Sequence, residues 1–216
     1  MAKLRVIGFV DGFNLYHSLQ GDPACKWLDL GRLLSGQLHH YDAEAELVEI
    51  HYFTALPFHL RTTDPARLSR HQVYLRALSA QRHPLVSTHL GEIRQHQLEV
   101  TLPQGRTWVK TWREKGTDIA LAVKLFELAA ADAYDAAIIV SGDSDYVPMV
   151  KGFMRMHAEK DLRFGFPCGR ASNELLKLVP ASFVFGPTHY RASRLPDSIR
   201  LPSGKRLHCP VEWKTP

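Results

Sequence analysis

Asp11, Asp118, Asp143 and Asp145 are the residues whose types and positions could do chemistry together. Asp11 directly follows an apolar run at 4–10, and Asp143 and Asp145 follow another at 136–140. Asp118 opens a stretch with helical periodicity. In an open α/β sheet the ends of strands and the starts of the following helices share one edge, and ligands bind there at a topological switch point. These carboxylates can therefore meet although more than a hundred residues separate the first from the last. Carboxylates that crowd repel one another and their pKa values rise unless a cation neutralises them. Hard oxygen ligands select Mg²⁺ or Mn²⁺. A metal pair about 3.5–4 Å apart would activate a water and stabilise the leaving oxygen of a phosphodiester. Taken singly, each aspartate is more often a helix cap than a ligand. The three clusters together favour a metal site.

Other polar residues lie close to these in sequence. Asn14 is one helical turn beyond Asp11, so its amide could orient a metal-bound water or a phosphate, or simply bond a loop. Ser141 and Ser144 could hydrogen-bond the aspartates or cap a helix. Lys115, three residues before Asp118, could meet a scissile phosphate, although a solvated lysine is the commoner case. Trp108 and Trp112, four residues apart, share one face of a strand; they could stack on bases, although burial is the commoner fate of such rings. Ser172 and Asn173 are candidates to close the pocket, and His39-His40 reads as surface. The twelve histidines show no metal-binding spacing.

The elements that must position these groups follow from periodicity. Strands are expected at 4–10, 46–55, 136–140, 162–166 and 182–185, and extended segments at 84–89 and 93–112 with a turn near Pro103-Gln104-Gly105. Helices are expected from Phe13 to Leu19, over 64–81 behind the cap Asp64-Pro65, over 118–131, from Asp145 to about Ala158, and over 172–178. In 118–131, Ile119, Ala122, Val123, Phe126 and Ala130 define one face, with Thr117 as cap. Alternating strands and helices predict an α/β fold, with a mostly parallel sheet and helices on both faces. Residues 187–216 hold five prolines and little periodicity, and read as an irregular basic tail with a small hairpin at 202–205. The expected division is therefore 1–186 and 187–216.

Composition bounds the class of protein. The 216 residues are 45% hydrophobic and 23% charged, which excludes a collagen, a disordered activator and a coiled-coil rod. No apolar run approaches a membrane span, and the start has no signal-peptide anatomy. Three scattered cysteines argue against a disulfide framework, so a reducing cytoplasm is expected. The net charge of +5 is segregated. Residues 59–113 carry nine basic against three acidic side chains, and 187–216 six against two, leaving the remainder acidic. Basic flanks around an acidic centre suit a polyanion held over a metal site. Arg70, Arg76 and Arg82 in the first flank are candidate contacts to the polyanion.

Three motifs, Val10-Asp11-Gly12-Phe13-Asn14-Leu15, Lys115-Gly116-Thr117-Asp118 and Ser141-Gly142-Asp143-Ser144-Asp145-Tyr146, occur in an order that resembles the NYN domain, a branch of the PIN-like nucleases, in its bacterial LabA-like subgroup. The resemblance covers roughly residues 4–185. It implies a PIN-like three-layer sandwich and a metal-dependent ribonuclease. Asp11, Asp118, Asp143 and Asp145 would then ligate Mg²⁺ or Mn²⁺, with Asn14 completing the catalytic pocket. Lys115 and Ser141 are, apart from the resemblance, candidate substrate contacts. Residues 56–113 match no motif of the family. There is no GxGxxG and no GxxxxGK[ST], so dinucleotide and P-loop binding are unsupported. A haloacid-dehalogenase-type phosphatase would need a second aspartate where Phe13 stands. The competing expectation is a catalytically weak or inactive nucleic-acid-binding or regulatory module on the same fold.

Overall fold

The computed structural model describes residues 3–41, 44–81, 83–103 and 105–215. β1 (Leu4–Asp11) and β2 (Ala45–Thr54) pair in parallel, with α1 (Gly12–Ser18) and α2 (Leu30–Ser35) between them in sequence. α3 (Pro65–Ser79) leads to β3 (Leu85–Leu90), parallel to β2. A long antiparallel hairpin follows, β4 (Glu92–Leu102) and β5 (Gly105–Lys115), and delivers the chain to α4 (Thr117–Ala130). Next come β6 (Ala136–Val140), α5 (Val147–Met156), β7 (Asp161–Phe166), α6 (Asn173–Leu178) and β8 (Phe183–Val184).

The six-stranded sheet runs β3-β2-β1-β6-β7-β8 and all its pairings are parallel. The expected α/β sandwich with a parallel centre is what the chain forms. After β1 the chain goes to one side as β2, whereas β6 lies on the other, so the order reverses between β1 and β6. Such a reversal opens a crevice at the carboxyl ends of the two strands. Register pairs Val10 with Val140, which sets Asp11 and Ser141 side by side at that edge.

Side chains of β1 alternate between two cores, as the period of a strand requires. Ile7 and Phe9 pack with Leu121, Leu125, Phe153 and Phe164; Val6 and Val10 pack with Trp27, Leu34 and Tyr74. Both faces of the sheet are thus covered, and strands buried on both sides read as continuous apolar runs.

Two expectations for α4 change. Gly116, not Thr117, is its N-cap, with φ +89°, a left-handed backbone that glycine adopts without a Cβ penalty. The buried face is Leu121, Leu125 and Ala129, whereas Ile119 and Val123 are 72% and 49% exposed. The stretch Ile119–Ala130 is apolar on nearly every side, so periodicity could not choose the face; contact with β1 and β2 does.

The tail also differs from expectation. Residues 187–215 include α7 (Pro187–Ala192) and a short hairpin of β9 (Ser198–Arg200) and β10 (Arg206–His208), the latter where a hairpin was expected. Tyr190, Leu195, Leu207 and Trp213 are buried in the core around Trp27. The Trp27 indole N–H donates to Pro196 O at 2.8 Å, and Leu195 N–H to Trp27 O at 2.9 Å. Burying a large apolar side chain is worth about 1.5–3 kcal/mol, so a few anchors fix a segment whose backbone has little regular structure.

The β4–β5 hairpin is a two-stranded sheet of its own. Trp108 and Trp112, for which burial was the commoner expectation, are 65% and 46% exposed. Two strands alone supply no second layer, and Trp112, nearer the foot, has among the described residues only His59 stacked against its ring.

Candidate active site

Asp11 ends β1, is buried, and caps α1 by accepting from Asn14 N–H at 2.9 Å through Oδ1. Its Oδ2 accepts from Ser141 Oγ at 2.9 Å. Ser141 Oγ in turn accepts from Asp143 N–H at 3.2 Å, and Asn14 Oδ1 accepts from Gly142 N–H at 3.1 Å. The loop after β6 is therefore tied to the start of α1 by two hydrogen bonds, each braced by a local one on its own side. It is also tightly packed: a Cβ on Gly142 would sit 1.5 Å from the Arg170 carbonyl oxygen, so only glycine fits.

Asp143 caps the single 3-10 turn Ser144–Tyr146 by accepting from Asp145 N–H at 3.0 Å. Asp145 and Ser144 are exposed. Asp118, in the first turn of α4, accepts from the buried Tyr146 hydroxyl at 3.1 Å. Ser172 caps α6, and His39 and His40 lie on the surface as expected.

Electrostatics show that these carboxylates feel one another. The Asp11 carboxyl is pushed up to about 6, chiefly by burial and further by the charges of Asp118 and Asp143. Asp118 is also raised, first by desolvation of its carboxyl and then by Asp143 and Asp145, although the residue as a whole is exposed. A fifth carboxylate joins them. Glu114, near the end of β5, is pushed up to about 8 by burial and by Asp11 and Asp118. Its Oε1 is buried without a hydrogen-bond partner among the described residues.

Sequence reasoning passed over Glu114 and gave Tyr146 no role. Glu114 had one signal: it shares a strand face with Trp112, two residues away, and directly precedes Lys115. Lys115 is exposed at the foot of the hairpin. Arg70 pairs with Glu212 at 2.8 Å, and Arg76 is exposed six residues further along α3. Arg82 lies outside the described residues. Among the described residues, no three His, Cys, Asp or Glu side chains stand close enough to bind a single ion in this arrangement.

Beside the carboxylates lies a cavity of about 590 Å³, walled in part by Gly12, Tyr52 and Glu114 and reaching Trp213.

The sequence profile of the NYN domain matches residues 5–162, which span β1, the hairpin, β6 and the carboxylates at the switch point. The chain belongs to the NYN domain family. NYN domains are generally nucleases with a PIN-like fold. A solved structure of a protein of unknown function from Vibrio parahaemolyticus is similar in fold, with a TM-score of 0.51 and 18% identity, covering 86% of this chain and 94% of that one. Among curated proteins, 6-hydroxy-3-succinoylpyridine 3-monooxygenase HspA of Pseudomonas putida is 26% identical over 187 residues, covering 75% of this chain. The NYN chain described here spans 58% of the length of that relative. No helix among the described residues is long and apolar enough to cross a membrane.

Proposed function

We propose that this NYN protein is a metal-dependent ribonuclease that hydrolyses RNA phosphodiester bonds. The observation that carries the reading is the approach of Asp11, Asp118, Asp143 and Glu114 to one another at the β1–β6 switch point, where burial and neighbouring negative charge raise the carboxyls of Asp11, Asp118 and Glu114. Such a group has a reason to exist if a cation offsets its charge.

The donor chemistry is that of a hard divalent ion, since it consists of carboxylate oxygens; the side chains would have to draw together, because no three of them stand close enough to share one ion in this arrangement. Asp11, Asp118, Asp143 and Asp145 would hold Mg²⁺ or Mn²⁺, which supplies a polarised water at neutral pH and charge stabilisation for the leaving oxygen. The chain's own residues do the rest. Ser141 and Asn14 N–H hold the Asp11 carboxylate in one orientation, and Tyr146 holds Asp118. Hydrolysis forms a bond from a water oxygen to phosphorus and breaks the bond to the leaving ribose oxygen. Lys115 at the foot of the hairpin offers positive charge to the phosphate. Arg76, with Arg70 and Arg82, adds to the basic flank that holds the strand, and the exposed Trp108 offers a stacking face. Residues 1–186 carry the nuclease and 187–216 brace it. Three cysteines, all free, suit a reducing cytoplasm.

The test is incubation of purified protein with end-labelled single-stranded and hairpin RNAs, with Mg²⁺, Mn²⁺ or EDTA. Cleavage that needs the cation supports the reading. Cleavage unaffected by EDTA contradicts it, and RNA binding without cleavage supports an inactive binding module.

A second reading is favoured by the cavity beside the carboxylates and by the HspA relative, by its name a monooxygenase of a substituted pyridine. On that reading the pocket serves a small heterocycle and RNA is not the substrate.

A further inference from the structure

The cavity beside the carboxylates has no role in the hydrolysis proposed above. Its volume of about 590 Å³ lies within the range of sites for small ligands. Its walls are rich in aromatic rings, among them Phe13, Tyr16, Tyr52, His59 and Trp112. His59 stacks on Trp112 with ring centroids 4.7 Å apart and planes 19° apart, so two near-parallel rings stand together in this part of the wall. Positive charge is set over one of the rings: Lys26 Nζ lies 5.0 Å and the Arg67 guanidinium 5.9 Å from the centroid of Tyr16. The acid facing them, Asp64, is occupied as the cap of α3, accepting from Arg67 N–H at 3.0 Å.

Two polar atoms of the lining, His59 Nδ1 and Glu114 Oε1, are buried without a hydrogen-bond partner among the described residues. Buried polar groups are nearly always satisfied, so these two point to a ligand that supplies the missing partners. Aromatic faces for a planar ring, two unused hydrogen-bonding atoms for its edge and two cations for an attached charge define one class of molecule.

We propose that the cavity binds a flat nitrogen heterocycle bearing an anionic group, and that in RNA this is the base of a nucleotide adjoining the scissile phosphate. The RNA half rests on the ribonuclease reading; the heterocycle half does not. The cavity and the carboxylates share a wall, because Gly12 follows Asp11 and Glu114 interacts with both Asp11 and Asp118. A base held in the cavity therefore places its own phosphate linkage near the carboxylates. The same chemistry would also hold a free heteroaromatic acid.

The experiment is calorimetric titration of the full chain in EDTA with adenosine and uridine 5′-monophosphates, 6-hydroxynicotinate and ribose 5-phosphate. The three anions that carry a flat nitrogen heterocycle are expected to bind at least about tenfold more tightly than ribose 5-phosphate, which has none. Trp112→Ala and Arg67→Ala, both at exposed positions, should each weaken that binding by about tenfold, with melting curves showing intact folding. Equal binding of ribose 5-phosphate, or variants that bind like the parent, overturns the proposal. Binding of 6-hydroxynicotinate but of neither nucleotide overturns the assignment to RNA and leaves a free heterocycle as occupant. Because these titrations contain no metal, a failure of cleavage leaves them standing, and a failure of binding beside intact cleavage rejects the cavity alone.

Discussion

Ser141 donates its hydroxyl proton to Asp11 Oδ2 across 2.9 Å, joining the end of β1 to the loop after β6. The two residues are 130 apart in sequence, and parallel register of β1 with β6 makes them neighbours. This bond holds a buried carboxylate in place at the point where the strand order reverses.

Replacing Ser141 with Ala should therefore be costly although it removes one oxygen. It leaves the buried Asp11 Oδ2 and the half-buried Asp143 N–H each short of a partner. A loss of about 1–3 kcal/mol is expected for a buried group left unsatisfied, together with slower RNA cleavage. Urea denaturation of parent and variant checks the first, and a cleavage assay at equal folded concentration checks the second. An unchanged denaturation midpoint would show that the bond contributes nothing to folding.

The hairpin and the basic flank carry the prediction for RNA affinity. Trp108 is 65% exposed, so Trp108→Ala should alter stability by less than about 0.5 kcal/mol. If a base stacks on it, the variant should lose about 1–3 kcal/mol of single-stranded RNA binding. Replacing Arg70, Arg76 and Arg82 together should flatten the dependence of log affinity on log salt, by about 0.7 for each lost phosphate contact. Fluorescence anisotropy across a salt series reads both. A triple variant with the parent's slope would remove this segment from the RNA path.

Acid sensitivity should come in part from His51. It is buried, stacks on Phe9 and exchanges a 2.9 Å hydrogen bond with His89. Burial pushes its pKa down to about 4. The unfolded chain, with the ordinary histidine value near 6.5, then binds a proton that the folded chain refuses between pH 6.5 and 4. Stability falls as pH falls wherever the unfolded state binds more protons. Asp11 acts in the opposite sense, because its raised carboxyl takes up a proton in the folded state. The difference between parent and His51→Gln isolates the histidine: the parent should lose ground to the variant from pH 6.5 to 4 and hold steady above 7. Chemical denaturation at several pH values measures this, and a pH-independent difference would show that His51 is not protonated on unfolding.

Much of the fold was legible because the strands at 4–10 and 136–140 are apolar throughout, which is how a strand buried on both faces must read. The convergence of Asp11 with Asp143 followed from their positions after those strands. The buried face of α4 was not legible, since Ile119 and Val123 are as apolar as Leu121 and Leu125 and only packing distinguishes them. Tyr190 and Trp213 dock a proline-rich segment through a few anchors that leave no period in the sequence. Glu114 was hidden for a related reason. Its burial comes from the way the foot of the hairpin meets the sheet edge, a long-range contact that no local pattern records.

The central claim is that the carboxylates at the β1–β6 edge bind a divalent cation. Calorimetric titration of Mn²⁺ into the metal-free parent and into Asp118→Asn tests it most directly. Asp118 is exposed and its neighbour Tyr146 can still donate to an asparagine oxygen, so the variant should fold as the parent does. The account predicts saturable Mn²⁺ binding by the parent and a loss of at least about tenfold in affinity in the variant. A parent that binds no Mn²⁺, or a variant that binds it as tightly as the parent, would contradict it.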